Sequence, residues 1–177
     1  MPGENGSSAA QAVIVMGVSG CGKSSVGEAL ASRLGLPFIE GDALHPESNV
    51  AKMAAGTPLT DEDRWPWLTV IGECMADALS RGEGIVVSCS ALKKIYREHL
   101  RAATGGSLSF VYLEGSRELL GSRMGARTGH FMPLGLLDSQ LATLEVPTAE
   151  PGVVTVSIDQ PVEGIVADAL QGLDVRA

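Results

Sequence analysis

Apolar and polar positions follow two alternating periods along the chain. Residues 12–16 (AVIVM) form a short, unbroken apolar run rich in β-branched side chains and closed by a glycine, the pattern of a strand buried on both faces. Residues 24–34 then switch to helical spacing (Val26, Leu30, Leu34) and stop at Gly35. The alternation repeats. Strands are expected over 36–40, 84–89, 108–113 and 153–158. Helices are expected over 46–55, 63–80, 92–103, 117–124, 134–144 and 162–170. Residues 125–133 hold two glycines, a proline and mixed charge, which suits a mobile loop or lid. Strands alternating with helices predict an α/β fold, a parallel five-stranded sheet with helices on both faces.

The turn between the first strand and the first helix carries the clearest chemistry. Gly17-Val18-Ser19-Gly20-Cys21-Gly22-Lys23-Ser24 fits G-x-x-x-x-G-K-[S/T], in the strand-to-helix setting that a phosphate loop requires. Its glycines let the backbone turn tightly and aim successive N–H groups at phosphate oxygens. The helix N-terminus adds roughly half a positive charge at the same point. Lys23 supplies a cation for the β and γ phosphates, and Ser24 a hydroxyl for Mg2+, with Ser25 beside it. ATP and Mg2+ are therefore the expected cofactors of a P-loop NTPase fold. No strand ends in the Asp usual for such proteins, because residues 85–89 (IVVSC) end in hydroxyl and thiol groups. Magnesium would then rely on Ser24 and waters, with Asp42 behind them. A small kinase tolerates this better than a motor.

Composition narrows the partners. The chain has 177 residues, 45% of them hydrophobic, which suits one domain that buries a core without disulfide or metal staples. Its 13 Lys and Arg against 21 Asp and Glu give a net charge of −8, which disfavours nucleic acid as a partner. Three cysteines without a Cys-x-x-Cys pair read as reduced thiols of a cytoplasmic protein. Cys21, within the phosphate loop, is expected to react with alkylating agents through the positive field there. No stretch suggests a membrane span or a signal peptide, and residues 1–11 read as a flexible tail before a single domain over 12–177.

The acceptor side follows the second strand. Asp42, in Ile39-Glu40-Gly41-Asp42, lies beyond the carboxyl end of a strand, where ligands bind in such sheets, and a carboxylate there can take the proton of an attacking hydroxyl. Alone, it serves equally as a turn or cap residue. Asn49 and Lys52 share a helical face with His45. Arg64 has the fork to grip a carboxylate but also stands within reach of Asp61. The two Trp residues around Pro66 read as packing. Arg123 and Arg127, four apart at a helix end, are placed either to close on the transferring phosphate or simply to face solvent at a helix C-terminus.

Taken together, these stretches resemble the small P-loop gluconokinases, relatives of shikimate kinase and the nucleoside monophosphate kinases. The resemblance runs from Val13 to about Leu170. It rests on GVSGCGKS (17–24), GDALHPESNVAKM (41–53), GTPLTDEDRWPWL (56–68), CSALKKIYREHLR (89–101), RMGARTGHFMP (123–133) and SQLATLE (139–145), in matching order and spacing. The segment after Glu145, Val146-Pro147, departs from the pattern at the lid's exit.

The resemblance implies ATP-dependent phosphorylation of the terminal hydroxyl of D-gluconate, giving 6-phospho-D-gluconate. It makes Asp42 the general base and Arg64 the carboxylate ligand. His45, Lys93, Arg97 and His130 become contacts to the sugar acid, and the Ser90-Ala91-Leu92 loop a source of backbone groups. It implies a substrate region over about 41–80, a lid over about 123–134, and adenine held between a lid arginine and the loop at Asp159-Gln160-Pro161. Members of the family often pair as dimers, so a homodimer is among the expected partners, although no apolar helix face stands out. Shikimate would suit an Asp and an Arg equally well. A nucleotide acceptor fits poorly with two Trp, two Tyr and three Phe in the whole chain. A nucleotide-dependent switch without transfer chemistry is the alternative from another class.

Overall fold

A computed structural model describes residues 11–18, 20–126 and 134–176. The strands are β1 (Ala12–Met16), β2 (Phe38–Glu40), β3 (Ile85–Ser88), β4 (Leu108–Glu114) and β5 (Val153–Ser157). The α-helices are α1 (Lys23–Leu34), α2 (Glu47–Ala54), α3 (Asp61–Ser80), α4 (Lys94–Ala103), α5 (Arg117–Ala126), α6 (Leu134–Thr143) and α7 (Val162–Arg176). All four strand pairings are parallel, in the order β2-β3-β1-β4-β5.

This order explains the burial. β1 lies in the middle, every one of its residues is buried, and its apolar run has no solvent face to alternate toward. β2 is an edge strand of three half-buried residues, shorter than its sequence suggests. At the other edge, β5 alternates exposed Thr155 and Ser157 with buried valines.

Two helix starts and one added element depart from the sequence reading for local reasons. α3 starts at Asp61 because Thr60 and Asp63 form a reciprocal capping box, each side chain bonded to the other's backbone N–H. Pro66 then sits in the second turn of an otherwise continuous helix. α4 starts at Lys94 because residues 89–93 cross the carboxyl end of the sheet as a loop. The Glu145 carboxylate accepts the Lys94 N–H at 2.9 Å and so caps the helix from far along the chain. Between β2 and α2 a 3-10 turn covers Gly41–Leu44, an element the hydrophobic pattern does not announce. It carries Asp42 away from the sheet edge.

Candidate active site

The phosphate loop leaves β1 and enters α1 at Lys23. Gly20 and Gly22 hold φ of 84° and 90°, the left-handed region that a side chain would oppose. Val18 and Cys21 are buried, and the Lys23 ammonium, 8% exposed, donates to the Val18 carbonyl at 3.2 Å. Burial works to lower the pKa of Lys23. The ionisable groups around it, Cys21, Asp42, Cys89 and Glu40, outweigh that and raise it, so the cation is firmly held. The Cys21 thiol is pushed up by its burial, and that of Cys89 likewise. The expectation of a reactive Cys21 is therefore corrected: it is fully enclosed, and its thiolate is disfavoured. Ser19 lies outside the described residues. Ser24 is partly buried and Ser25 exposed at the start of α1.

The carboxylate missing from the end of β3 comes from β2. Glu40 Oε1 accepts hydrogen bonds from Ser24 Oγ at 2.6 Å and from Ser88 Oγ at 3.0 Å, and Ser88 Oγ in turn accepts the Gly41 N–H at 3.2 Å. Three carboxyl-end positions are thereby tied together: the first turn of α1, the last residue of β2 and the last residue of β3. Sequence reasoning passed over Glu40 and assigned its place behind Ser24 to Asp42. The available signal was the pair of carboxylates two apart in Glu40-Gly41-Asp42. Among the described residues no group of three or more His, Cys, Asp or Glu is placed to hold a metal. A hydroxyl and one carboxylate nevertheless suit Mg2+, which takes few protein ligands and fills its shell with phosphate oxygens and water.

Gly41 is confined by space rather than by its dihedral angles. A Cβ there would lie 1.9 Å from the Ser88 carbonyl oxygen, and the Gly41 carbonyl accepts the Trp67 indole N–H at 2.8 Å. This pinning sets the direction of the next residue, Asp42, which is exposed and whose carboxylate has no hydrogen bond or ion pair among the described residues. Its charge is felt at Lys23 on one side and at His45 on the other.

Trp67 also stacks on His45, with ring centres 3.9 Å apart and planes 17° from parallel. Asn49, 1% exposed, places its amide nitrogen 3.1 Å from His45 Nδ1 and donates to the Asp63 carbonyl at 2.8 Å. Since the amide nitrogen only donates, Nδ1 accepts and the imidazole proton sits on Nε2. Burial, against the pull of Asp42 and with help from Arg64, lowers the His45 pKa to about 4. The ring is a neutral hydrogen-bond donor at neutral pH.

Arg64, on α3 and 9% exposed, does not pair with Asp61. Its Nη1 donates to the Tyr96 hydroxyl at 2.9 Å, and no carboxylate forms an ion pair with it among the described residues. Lys93 contacts Asp61 instead, at 3.0 Å. Arg97 is a correction. It is fully buried and all three of its guanidinium nitrogens are engaged: Nε with Glu150, Nη1 with the Ala91 carbonyl, and Nη2 with Glu150 and the Glu145 carbonyl. Burial alone would raise the Glu150 carboxyl, but Arg97 and Arg101 hold it below its usual range. Arg97 fastens the segment before β5 to α4 and has no nitrogen left for a sugar acid. The helical pattern carried a sign of this, since Arg97 shares the buried stripe of α4 with Tyr96 and Leu100. The loop at 90–92 is also turned inward: the Ala91 and Leu92 N–H groups bond to Cys89 and Ser90, and the Leu92 carbonyl accepts from Glu145.

On the nucleotide side, Arg123 donates to the Ile158 carbonyl at 2.6 Å, at the loop after β5 rather than toward the phosphate loop. Gln160 spends its amide N–H groups on the Ser157 carbonyl and Asp168, and Pro161 is exposed. An open cavity of about 480 Å3 lies there, lined by Glu114, Gly115, Ser116, Leu119, Ser157 and Asp159. Arg127 and His130 lie outside the described residues.

Residues 19–145 match the family profile described as shikimate kinase. A gluconokinase of Gluconobacter oxydans is 51% identical over 145 residues, covering 82% of this chain and 81% of that protein. The thermoresistant gluconokinase of Escherichia coli is 46% identical over 160 residues, covering 89% and 90%. The crystal structure of a gluconokinase from Sinorhizobium meliloti superposes with a TM-score of 0.88 at 56% identity, covering 94% of this chain and 93% of that one. An APS kinase of Mycobacterium tuberculosis, 17% identical with a TM-score of 0.57, shares the fold.

Proposed function

The chain belongs to the gluconokinase family of P-loop kinases, and on that premise we propose how its residues carry out the ATP-dependent phosphorylation of D-gluconate to 6-phospho-D-gluconate. The observation that carries the reading is the position of Asp42: an unpaired carboxylate whose charge reaches both Lys23 of the phosphate loop and the His45–Arg64 side of the site. A base is needed where the donor phosphate and the acceptor hydroxyl meet.

In this reading the loop amides and Lys23 hold the phosphates of ATP, and adenine takes the cavity between the ends of β4 and β5, beside Arg123. Ser24 and Glu40 would hold Mg2+, which would supply charge neutralisation at the phosphates. Arg64 binds the carboxylate of gluconate, so that the hydroxyl at the far end of the molecule is the one presented to Asp42. Asp42 accepts that proton as the oxygen attacks the γ-phosphorus in line, the bond from that phosphorus to the β,γ-bridging oxygen breaks, and ADP leaves with the electron pair. His45 donates from Nε2 to a hydroxyl of the polyol. Alignment of this kind is worth roughly 7–11 kcal/mol in well-ordered sites, so holding both ends of a flexible acceptor carries much of the catalysis.

We further assign the active unit to residues 12–177 as a single domain, with substrate contacts over about 41–80, and keep Arg127 and His130 as contacts to phosphate and sugar acid. Small molecules are its substrates. No helix among the described residues is long and apolar enough to cross a membrane, and free thiols suit the cytoplasm. The homodimer stays part of the proposal and is read by light scattering. The family profile keeps shikimate, also a carboxylate with a reactive hydroxyl, as the second reading. A coupled assay with 6-phosphogluconate dehydrogenase decides. NADPH formation that depends on gluconate and disappears in Lys23→Ala is the expected result, and ADP release with shikimate alone would replace the substrate.

A further inference from the structure

Asp61 and Arg64 stand three apart on α3, the spacing at which opposite charges on a helix usually pair. They do not pair here because a phenol is wedged between them. Tyr96 comes across from α4, fully buried. Its hydroxyl donates to Asp61 Oδ1 and accepts from Arg64 Nη1, so its single proton and one lone pair are committed in opposite directions. The Arg64 guanidinium also lies 5.4 Å from the centre of the Tyr96 ring. The charge on Asp61 is taken up elsewhere: Lys93 Nζ lies 3.0 and 3.4 Å from its two oxygens. Tyr96 first and Lys93 second hold the Asp61 carboxyl below its usual range, so it is an anion throughout the neutral region. Burial and the bond to Asp61 push the phenol to about 12, so it stays neutral. The result is a nearly enclosed guanidinium whose contact is neutral, with its nearest helical carboxylate held one hydroxyl away.

We infer that Tyr96 is a positioning residue that reserves Arg64 for the carboxylate of the acceptor, by keeping Asp61 off the guanidinium while Lys93 draws Asp61 aside. The inference rests on the reading of Arg64 as the carboxylate ligand and adds what makes that arginine available. An arginine already paired to an internal carboxylate would have to give up that bond before binding substrate. One held by a neutral hydroxyl has its charge ready, and its remaining N–H groups can receive a bidentate anion.

The test uses the enzyme and five variants, three single and two double. Tyr96→Phe keeps the ring and removes the wedge, so Arg64 can collapse onto Asp61. KM for gluconate should rise roughly tenfold, the equivalent of one hydrogen bond to a charged group. KM for ATP should not follow it, and kcat should change less than KM. Adding Asp61→Asn to Tyr96→Phe removes the competing carboxylate and should bring KM back toward wild type. Lys93→Met keeps the aliphatic stem of a side chain 29% exposed, and should also raise KM and be rescued by Asp61→Asn. A direct Lys93–gluconate contact would not be rescued. An unchanged KM in Tyr96→Phe, or a raised KM that Asp61→Asn fails to restore in either background, would overturn the inference. Arg64→Ala separates the two claims. If it leaves KM for gluconate unchanged, the carboxylate reading fails first; if it raises KM while Tyr96→Phe does not, only the role of Tyr96 fails.

Discussion

Around Lys23 the site is made of consecutive main chain, and around Arg64 it is made of side chains that hold one another across long stretches of sequence. The phosphate loop needs eight adjacent residues, two glycines at left-handed φ and the start of one helix. The proposed acceptor side draws on Asp42 from a 3-10 turn, His45 and Asn49 around α2, Arg64 and Trp67 from α3, and Tyr96 from α4. The first construction recognises what all nucleotides share. The second can be retuned one side chain at a time, which is how a common fold takes different acceptors. Damage should differ accordingly: uniform loss on the donor side, loss confined to the acceptor on the other.

The sharpest way to break this contrast is at Asp42, where the two halves meet. Asp42→Asn should lower kcat by roughly 10²–10⁴, the usual worth of a positioned base, with little change in ATP affinity. Single-turnover kinetics beside nucleotide titration would measure both, and an unaffected kcat would remove Asp42 from the base role. Next comes Arg97, close to Arg64 in sequence character but part of the scaffold. Arg97→Ala leaves Glu150 with Arg101 alone and two buried carbonyls without their donor, and should cost about 3–5 kcal/mol in denaturant unfolding, while the folded fraction keeps its KM for gluconate. A selective rise in KM would instead return Arg97 to the acceptor site.

A smaller effect is expected on the donor side. Glu40→Gln should raise the Mg2+ concentration needed for half-maximal activity by roughly tenfold, a value typical of losing a ligand's supporting charge. A magnesium titration at saturating ATP and gluconate reads it. The smallest effect on turnover near neutral pH belongs to His45, whose signature is in stability instead. Its pKa falls from 6.5 to about 4 on folding, so between those values the unfolded chain binds more protons and stability must rise with pH. Melting curves from pH 4 to 6.5 should climb more steeply for wild type than for His45→Gln. Above pH 6.5 the two slopes should coincide.

The same contrast governs what could be read from the sequence. The strands, the helices and the phosphate loop are local, since hydrophobic period and glycine placement act over a few neighbouring residues. The five-stranded parallel sheet followed from them. Arg64 and Arg97 were indistinguishable by type, each an arginine on a helix near acidic residues. Their fates were set by Tyr96, 32 residues from one, and Glu150, 53 residues from the other. Glu40 was missed for the same reason, because its partners lie 16 and 48 residues away. The resemblance to gluconokinases identified the reaction without revealing which side chains touch. Only tertiary geometry separates an arginine held by a neutral hydroxyl from one already spent on a buried carboxylate.

The closeness of Gly41 to the Ser88 carbonyl has a consequence for the history of the chain. Alanine, the smallest possible change, already puts an atom within 1.9 Å of main chain belonging to another strand. Main chain cannot yield as a flexible side chain would. A saturation library read out by growth on gluconate should therefore show position 41 as an empty column, although it lies outside the nucleotide motif. No single substitution leads out of glycine there unless the strand carrying Ser88 moves as well.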